Sequence, residues 1–213
     1  MKKATIAAAI VVFILVVDQL IKIWVKTHMM LHESIEITSW FYILFIENNG
    51  MAFGMQLGSK VLLSLFRLVA IGLLGYYIWW EISKRNAKIG YVATLAMILA
   101  GAAGNLIDCL FYGQIFNASS PYYVSYFVPF GQGYAPMLFG KVVDMFYFPI
   151  IETTWPDWMP LVGGNDFVFF SPVFNFADAS ISVGVVLLLL FYRKEISTLS
   201  LSDIRKKGEE AKP

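Results

Sequence analysis

Two aspartates stand where a charge is expensive. Asp144 lies between Val142-Val143 and Met145-Phe146, with Lys141 the nearest cation in the chain, and Asp178 lies in Phe174-Asn175-Phe176-Ala177-Asp178. A carboxyl group withdrawn from water resists ionisation and can carry a proton near neutral pH, which makes each of them a candidate acid or base. Further polar residues interrupt apolar runs: Asp18 and Lys22, Asn105 and Asp108, Asn175, and the turn at Asn48-Asn49-Gly50. Each also has a plainer reading. Asp18 and Lys22 are four apart, a helical spacing at which opposite charges pair, with Lys22 extending to the interface. Asp108 ends an apolar run and reads equally as a solvated or paired carboxylate. Asn175 suits a helix cap, Asp178 suits the first turn of the same helix, and Asn48 and Gly50 suit a turn.

Other chemistries find less support. His28 and His32 have the spacing of a helical chelate, but no carboxylate or cysteine completes a pattern around them, so they read as interfacial residues and no metal is expected. The single cysteine, Cys109, rules out an internal disulfide framework and reads as a small buried residue. No Ser-Lys or Ser-His arrangement and no nucleotide motif is evident, so no cofactor is expected. The net charge of +1 comes without a basic block, which argues against nucleic acid as a partner.

The elements that hold these residues are membrane spans. Of the 213 residues 58% are hydrophobic and 15% charged, against about 45–50% and about 25% in soluble domains. The mean hydropathy is +0.66. Four stretches approach the roughly 20 apolar residues that a bilayer requires: about 5–25, 61–80, 89–111 and 173–192. The first begins Met1-Lys2-Lys3 but lacks a small-residue cleavage site, so it reads as a retained span. Lys2 and Lys3, then Lys84, Arg85 and Lys88, then Arg193, Lys194, Arg205, Lys206 and Lys207 fall on one face of a four-span protein. By the positive-inside rule that face is cytoplasmic.

Connections 26–60 and 112–172 are then external, poor in Lys and Arg and rich in aromatic residues. Alternation in Ser34-Ile35-Glu36-Ile37-Thr38 and the run from Trp40 to Ile46 predict strands in the first connection. The second is Pro-rich and mostly irregular. Its apolar segment from Lys141 to Pro149 is too short to span and is expected to lie in the interface or re-enter. The expected fold class is an all-α transmembrane bundle of four helices with a small extracytoplasmic β-containing unit and an interfacial segment. It forms one domain over residues 1–197, followed by a charged cytoplasmic tail at 198–213. In this arrangement Asp18, Asn105, Asp108, Asp144, Asn175 and Asp178 all gather at the outer boundary. A transporter or channel would spread its polar groups through the membrane depth, and a scaffold would need no such convergence.

The same residues carry a family resemblance. Val17-Asp18-Gln19-Leu20-Ile21-Lys22, Asn48-Asn49-Gly50-Met51-Ala52-Phe53-Gly54, and Gly101-Ala102-Ala103-Gly104-Asn105-Leu106-Ile107-Asp108 occur in that order. They are followed by Gly140-Lys141-Val142-Val143-Asp144-Met145-Phe146 and Phe174-Asn175-Phe176-Ala177-Asp178-Ala179-Ser180-Ile181. The series resembles the lipoprotein signal peptidases (signal peptidase II). The resemblance implies an intramembrane aspartic endopeptidase in the bacterial cytoplasmic membrane. Its substrate would be a diacylglyceryl-modified prolipoprotein, cut just before the lipidated cysteine, with membrane lipids as the surrounding partner.

Asp144 and Asp178 would form the catalytic pair. Asn48, Gly50, Asn105, Asp108, Asn175, Asp18 and Lys22 would bind substrate or support the site. Cys109 departs from the pattern, standing where the family usually has Arg, so a cation is lost there and Lys141 is the candidate replacement. Segments 114–139 and 151–172 look like insertions relative to compact relatives.

Overall fold

The computed structural model describes residues 2–49 and 60–197. Gly50, the rest of its motif and the expected tail at 198–213 lie outside the described residues.

Three helices are long and apolar enough to cross a membrane: α1 (Lys2–His28), α2 (Lys60–Ser83), and the helical path Ile89–Ile115. The last begins as α3 (Ile89–Ile107) and passes through a π-helical turn at Asp108–Tyr112. A shorter helix, α4 (Phe176–Phe191), has 16 residues, about 24 Å at 1.5 Å each. The expected fourth span began at 173, but Val173 and Phe174 pair with a strand instead. Asn175 then caps the helix. The described residues therefore hold three helices long and apolar enough to cross a membrane and one shorter apolar helix.

α3 lies at the centre, packed on α1, α2 and α4. Its buried side includes Val92, Leu95, Ala96, Ala100, Gly101, Gly104 and Asn105. Much of α1 and α2 instead turns large apolar side chains outward, such as Phe13, Leu20, Phe66 and Leu73, as lipid-facing helices do. Two glycines set the α3–α4 approach. A Cβ on Gly101 would collide with the carbonyl oxygen of Ala177, and one on Gly104 would stand 2.7 Å from Asp18 Oδ2 and 3.2 Å from Ala177 Cβ. Small residues are what allow helix backbones to come this close.

Beside one end of the bundle lies a four-stranded antiparallel sheet. β1 (Ser34–Thr38) and β2 (Phe41–Asn48) come from the first connection, and β3 (Val142–Tyr147) from the second. A hairpin of β4 (Ile151–Thr154) and β5 (Asp166–Phe169) intervenes before β6 (Val173–Phe174). The strand order is β1-β2-β3-β6. The segment Lys141–Pro149, too short to span, contains strand β3. Its β-branched and aromatic residues suit a strand, and partners on both sides satisfy its backbone: Ile46 faces Asp144 in the β2–β3 register, and Phe146 faces Phe174 in β3–β6.

The opposite end of the bundle collects the basic clusters. Lys3 donates to Asn86 Oδ1 at 2.6 Å, joining the chain start to the α2–α3 link. Lys88 pairs with Glu195 beyond α4 at 2.9 Å. Glu81 is buried there, bonded by Tyr77 at 2.6 Å and Arg85 at 3.2 Å.

Candidate active site

Four elements meet where the sheet joins the bundle. α4 supplies Asn175 and Asp178 through a capping box: Asn175 Oδ1 accepts from the Asp178 backbone N–H at 2.9 Å, and the Asp178 carboxylate accepts from the Asn175 N–H. β3 supplies Asp144, β2 supplies Asn48 at its last residue, and α3 supplies Asn105 one turn before its π-helical end.

The two carboxyl groups are joined through asparagines. Asn175 Nδ2 donates to Asp144 Oδ1 at 2.7 Å and to Asn105 Oδ1 at 3.0 Å. Asn105 Nδ2 in turn donates to Asp178 Oδ1 at 2.7 Å. Asn48 Nδ2 donates to the other Asp144 oxygen at 3.1 Å. Asp144 is 3% exposed. Burial first, and then the charge of Asp178, push its carboxyl up to about 7, although hydrogen bonds from Asn48 and Asn175 and the charge of Lys22 act the other way. A carboxyl group at that value exchanges its proton near neutral pH.

Beneath this pair lies a charged layer. The ammonium of Lys22 has three protons and three acceptors: Asp18 Oδ2 at 2.9 Å, Asp108 Oδ2 at 2.8 Å and Asn105 Oδ1 at 2.9 Å. Lys22 pairs with Asp18 as the spacing suggested, but it does not extend to the interface. Its side chain is fully buried, because three converging acceptors hold it inside. Asp18 Oδ1 also accepts from the Ala177 N–H at 2.9 Å, fixing the first turn of α4. Asp108 is paired rather than solvated, and accepts from the Val143 N–H at 3.3 Å, fixing β3.

Gln19, in the first motif, joins this layer although its residue type alone does not mark it as a site residue. Its Nε2 bonds Asp108 Oδ1 at 2.9 Å and Asp18 Oδ2 at 3.2 Å, and its Oε1 accepts from Tyr112. Its place beside Asp18 was the available signal. Cys109 is buried, as expected. The cation that reaches its sulfur is Arg67 of α2, at 3.5 Å, whereas Lys141 is engaged with Glu47 at 3.0 Å. His28 stacks on Trp24 at 5.3 Å. Among the described residues, no group of three His, Cys, Asp or Glu is arranged to hold a metal ion.

A buried Asp144 linked to a half-buried Asp178, at the junction of an apolar helix bundle and a small sheet, is the arrangement of a candidate membrane enzyme. The fold agrees: a bacterial membrane enzyme solved in meso at 2.3 Å resolution matches with a TM-score of 0.61 and 23% identity over 90% of both chains. The family model for signal peptidase (SPase) II matches residues 10–193. The lipoprotein signal peptidase of Porphyromonas gingivalis strain W83 is 51% identical over 194 residues, covering 91% of this chain and 85% of the relative. That of Amoebophilus asiaticus is 37% identical over 189 residues, 85% of this chain and 75% of the relative. The chain belongs to the signal peptidase II family, and is a multi-pass membrane protease of lipoprotein processing.

Proposed function

We propose that this protease is an aspartic endopeptidase with Asp144 and Asp178 as its catalytic pair. Its substrates are diacylglyceryl-modified prolipoproteins, which it cuts just before the lipidated cysteine. The observation that carries this reading is the coupling of the two carboxyl groups through Asn105 and Asn175, with Asp144 raised to about 7. A carboxyl raised to that value can hold or release a proton near neutral pH beside a second carboxyl.

The ionised member takes a proton from water as the water oxygen attacks the scissile carbonyl carbon. The protonated member polarises the carbonyl oxygen. As the C–N bond breaks, a proton passes to the departing amine of the lipidated cysteine. Asn48 and Asn175 hold the Asp144 carboxyl. Asn105, Lys22, Asp18 and Asp108 keep α1, α3, α4 and β3 in register around the pair.

The site belongs at the outer leaflet of the bacterial cytoplasmic membrane, with both termini cytoplasmic. This placement is supported by the basic clusters tied together at the end remote from the pair, through Lys3–Asn86 and Lys88–Glu195. A substrate anchored by acyl chains and a signal helix presents its scissile bond at that depth. The rival transporter reading would need polar groups linking the two ends.

The test is a gel-shift cleavage assay on purified protein in lipid, with a diacylglyceryl-modified prolipoprotein. Wild type should cut it, and Asp144→Asn and Asp178→Asn should each lose at least about 100-fold in rate while remaining folded. Full activity in either variant would remove that residue from the mechanism. A folded wild type that cuts no lipidated substrate would refute the peptidase reading and direct attention to ion flux across liposomes.

A further inference from the structure

Strand alternation sends Asp144 to one face of the sheet and Glu47 and Val143, paired across β2–β3, to the other. On that second face is a buried ion cluster separate from the Lys22 layer. Lys26 Nζ lies 2.5 Å from Glu47 Oε1 and 2.7 Å from Ser119 Oγ. Ser119 Oγ donates to the same Glu47 oxygen at 2.8 Å. Lys141 Nζ holds the other oxygen at 3.0 Å. Lys26 also stands 5.2 Å from the ring centre of Tyr134 and 5.3 Å from that of Phe116. The Tyr134 hydroxyl accepts from the Lys141 backbone N–H at 2.6 Å. Lys26 is fully buried and the Glu47 side chain is 2% exposed.

A buried ion pair of this kind is a poor source of stability, because desolvation offsets most of the attraction and an apolar pair would serve as well. It does fix geometry. Both Glu47 oxygens are engaged, and the next residue is Asn48, whose side chain holds Asp144. Lys141, the third partner of Glu47, opens the approach to β3 three residues before Asp144.

We propose that Glu47 is a positioning residue that seats Asn48 against Asp144, and that the 113–140 connection serves to complete its clamp. This rests on the aspartic reading above. Ser119, Phe116 and Tyr134 all come from that connection, which gives the first insertion a task in the active site although it touches neither carboxyl of the pair. Burial alone would raise the Glu47 carboxyl, but Lys26, Lys141 and Ser119 outweigh burial and hold it below the usual carboxylate range. Glu47 is therefore held in its ionised form near neutral pH.

The geometry at Asp144 provides a readout that a merely structural role would not move. Asp144 is faced by Asp178 and Asn175 from α4, Asn48 from β2 and Lys22 from α1, and the Asn48 bond is one of the interactions holding its proton affinity down. The experiment compares wild type, Glu47→Gln, Glu47→Asp, Ser119→Ala and Asp144→Asn on a diacylglyceryl-modified prolipoprotein peptide. It measures kcat, KM and the pH profile per folded enzyme.

Glu47→Gln should lose about tenfold or more in kcat with little change in KM, and the acid limb of its profile should move to higher pH. Ser119→Ala should move the same way by less, and Glu47→Asp should recover part of the wild-type profile. A Glu47→Gln enzyme whose folded fraction keeps wild-type kcat and pH profile, beside an inactive Asp144→Asn, overturns the clamp alone. If Glu47→Gln does not fold, Ser119→Ala decides, and a wild-type kcat and profile there overturns the proposal. An active Asp144→Asn overturns the dyad reading and the clamp with it.

Discussion

Replacing Lys22 by methionine isolates the buried charge layer beneath the two carboxyls. The ammonium makes three contacts of 2.8–2.9 Å, to Asp18, Asp108 and Asn105. Methionine fills the stem of the cavity but leaves two fully buried carboxylates side by side without a cation. Breaking a buried ion pair from one side costs about 3–5 kcal/mol. In a chain of this size each kcal/mol shifts the melting temperature by about 2–4 °C, so Lys22→Met should melt roughly 6–20 °C below wild type. Adding Asp108→Asn removes one of the stranded charges, so the double variant should be less destabilised than the two single losses summed. Lys22→Arg should not rescue, because a planar fork does not match three acceptors converging on one point. The assay is thermal unfolding in detergent micelles across the double-mutant cycle. Melting of Lys22→Met within about 2 °C of wild type, below the loss of a single kcal/mol, or strictly additive losses, would refute the argument that Lys22 neutralises this layer.

Stability should also depend on pH through Asp144. Its folded value of about 7 lies above the roughly 3.9 of an unfolded aspartate, so the native state binds the extra proton between them. The stabilisation is fully present below about pH 4 and is lost as pH rises through about 7. Melting curves of wild type and Asp144→Asn should therefore converge or cross in that window, and parallel curves from pH 4 to 8 would contradict the assignment. Asn175→Ala should cost about 1 kcal/mol through the lost cap of α4. It should also move the acid limb of the cleavage profile to higher pH, since Asn175 no longer restrains Asp144; a superimposable profile would show that the 2.7 Å bond has no such effect.

Much of this arrangement was readable from local sequence. Apolar runs, the charges that bound them and the alternation at Ser34–Thr38 depend on composition and on periods of two and 3.6 residues, which neighbours along the chain determine. The Asp18–Lys22 pair and the Asn175 cap are likewise local, so their spacing announced them. That Lys141–Pro149 holds a strand was not legible, because a short apolar run has no period that separates a strand from other apolar segments. Only β2 and β6, pairing from both sides, made it β3. The fourth span was overextended for the same reason, since Val173 and Phe174 are apolar enough to continue a helix and were claimed by β3 instead.

Glu47 and Lys26 stand near a turn and a helix end, where no local signal marks burial. Their burial depends on Ser119 and Lys141, more than 70 residues further along the chain than Glu47. Sequence by itself determined that this chain enters a membrane, where its helices run, and which carboxylates are out of place in apolar surroundings. Tertiary structure alone decided which oxygen receives which donor. The bonds linking Asn105 to Asp178, Asn175 to Asp144 and Ala177 to Asp18 join positions 73, 31 and 159 residues apart, and no local periodicity carries information over such separations.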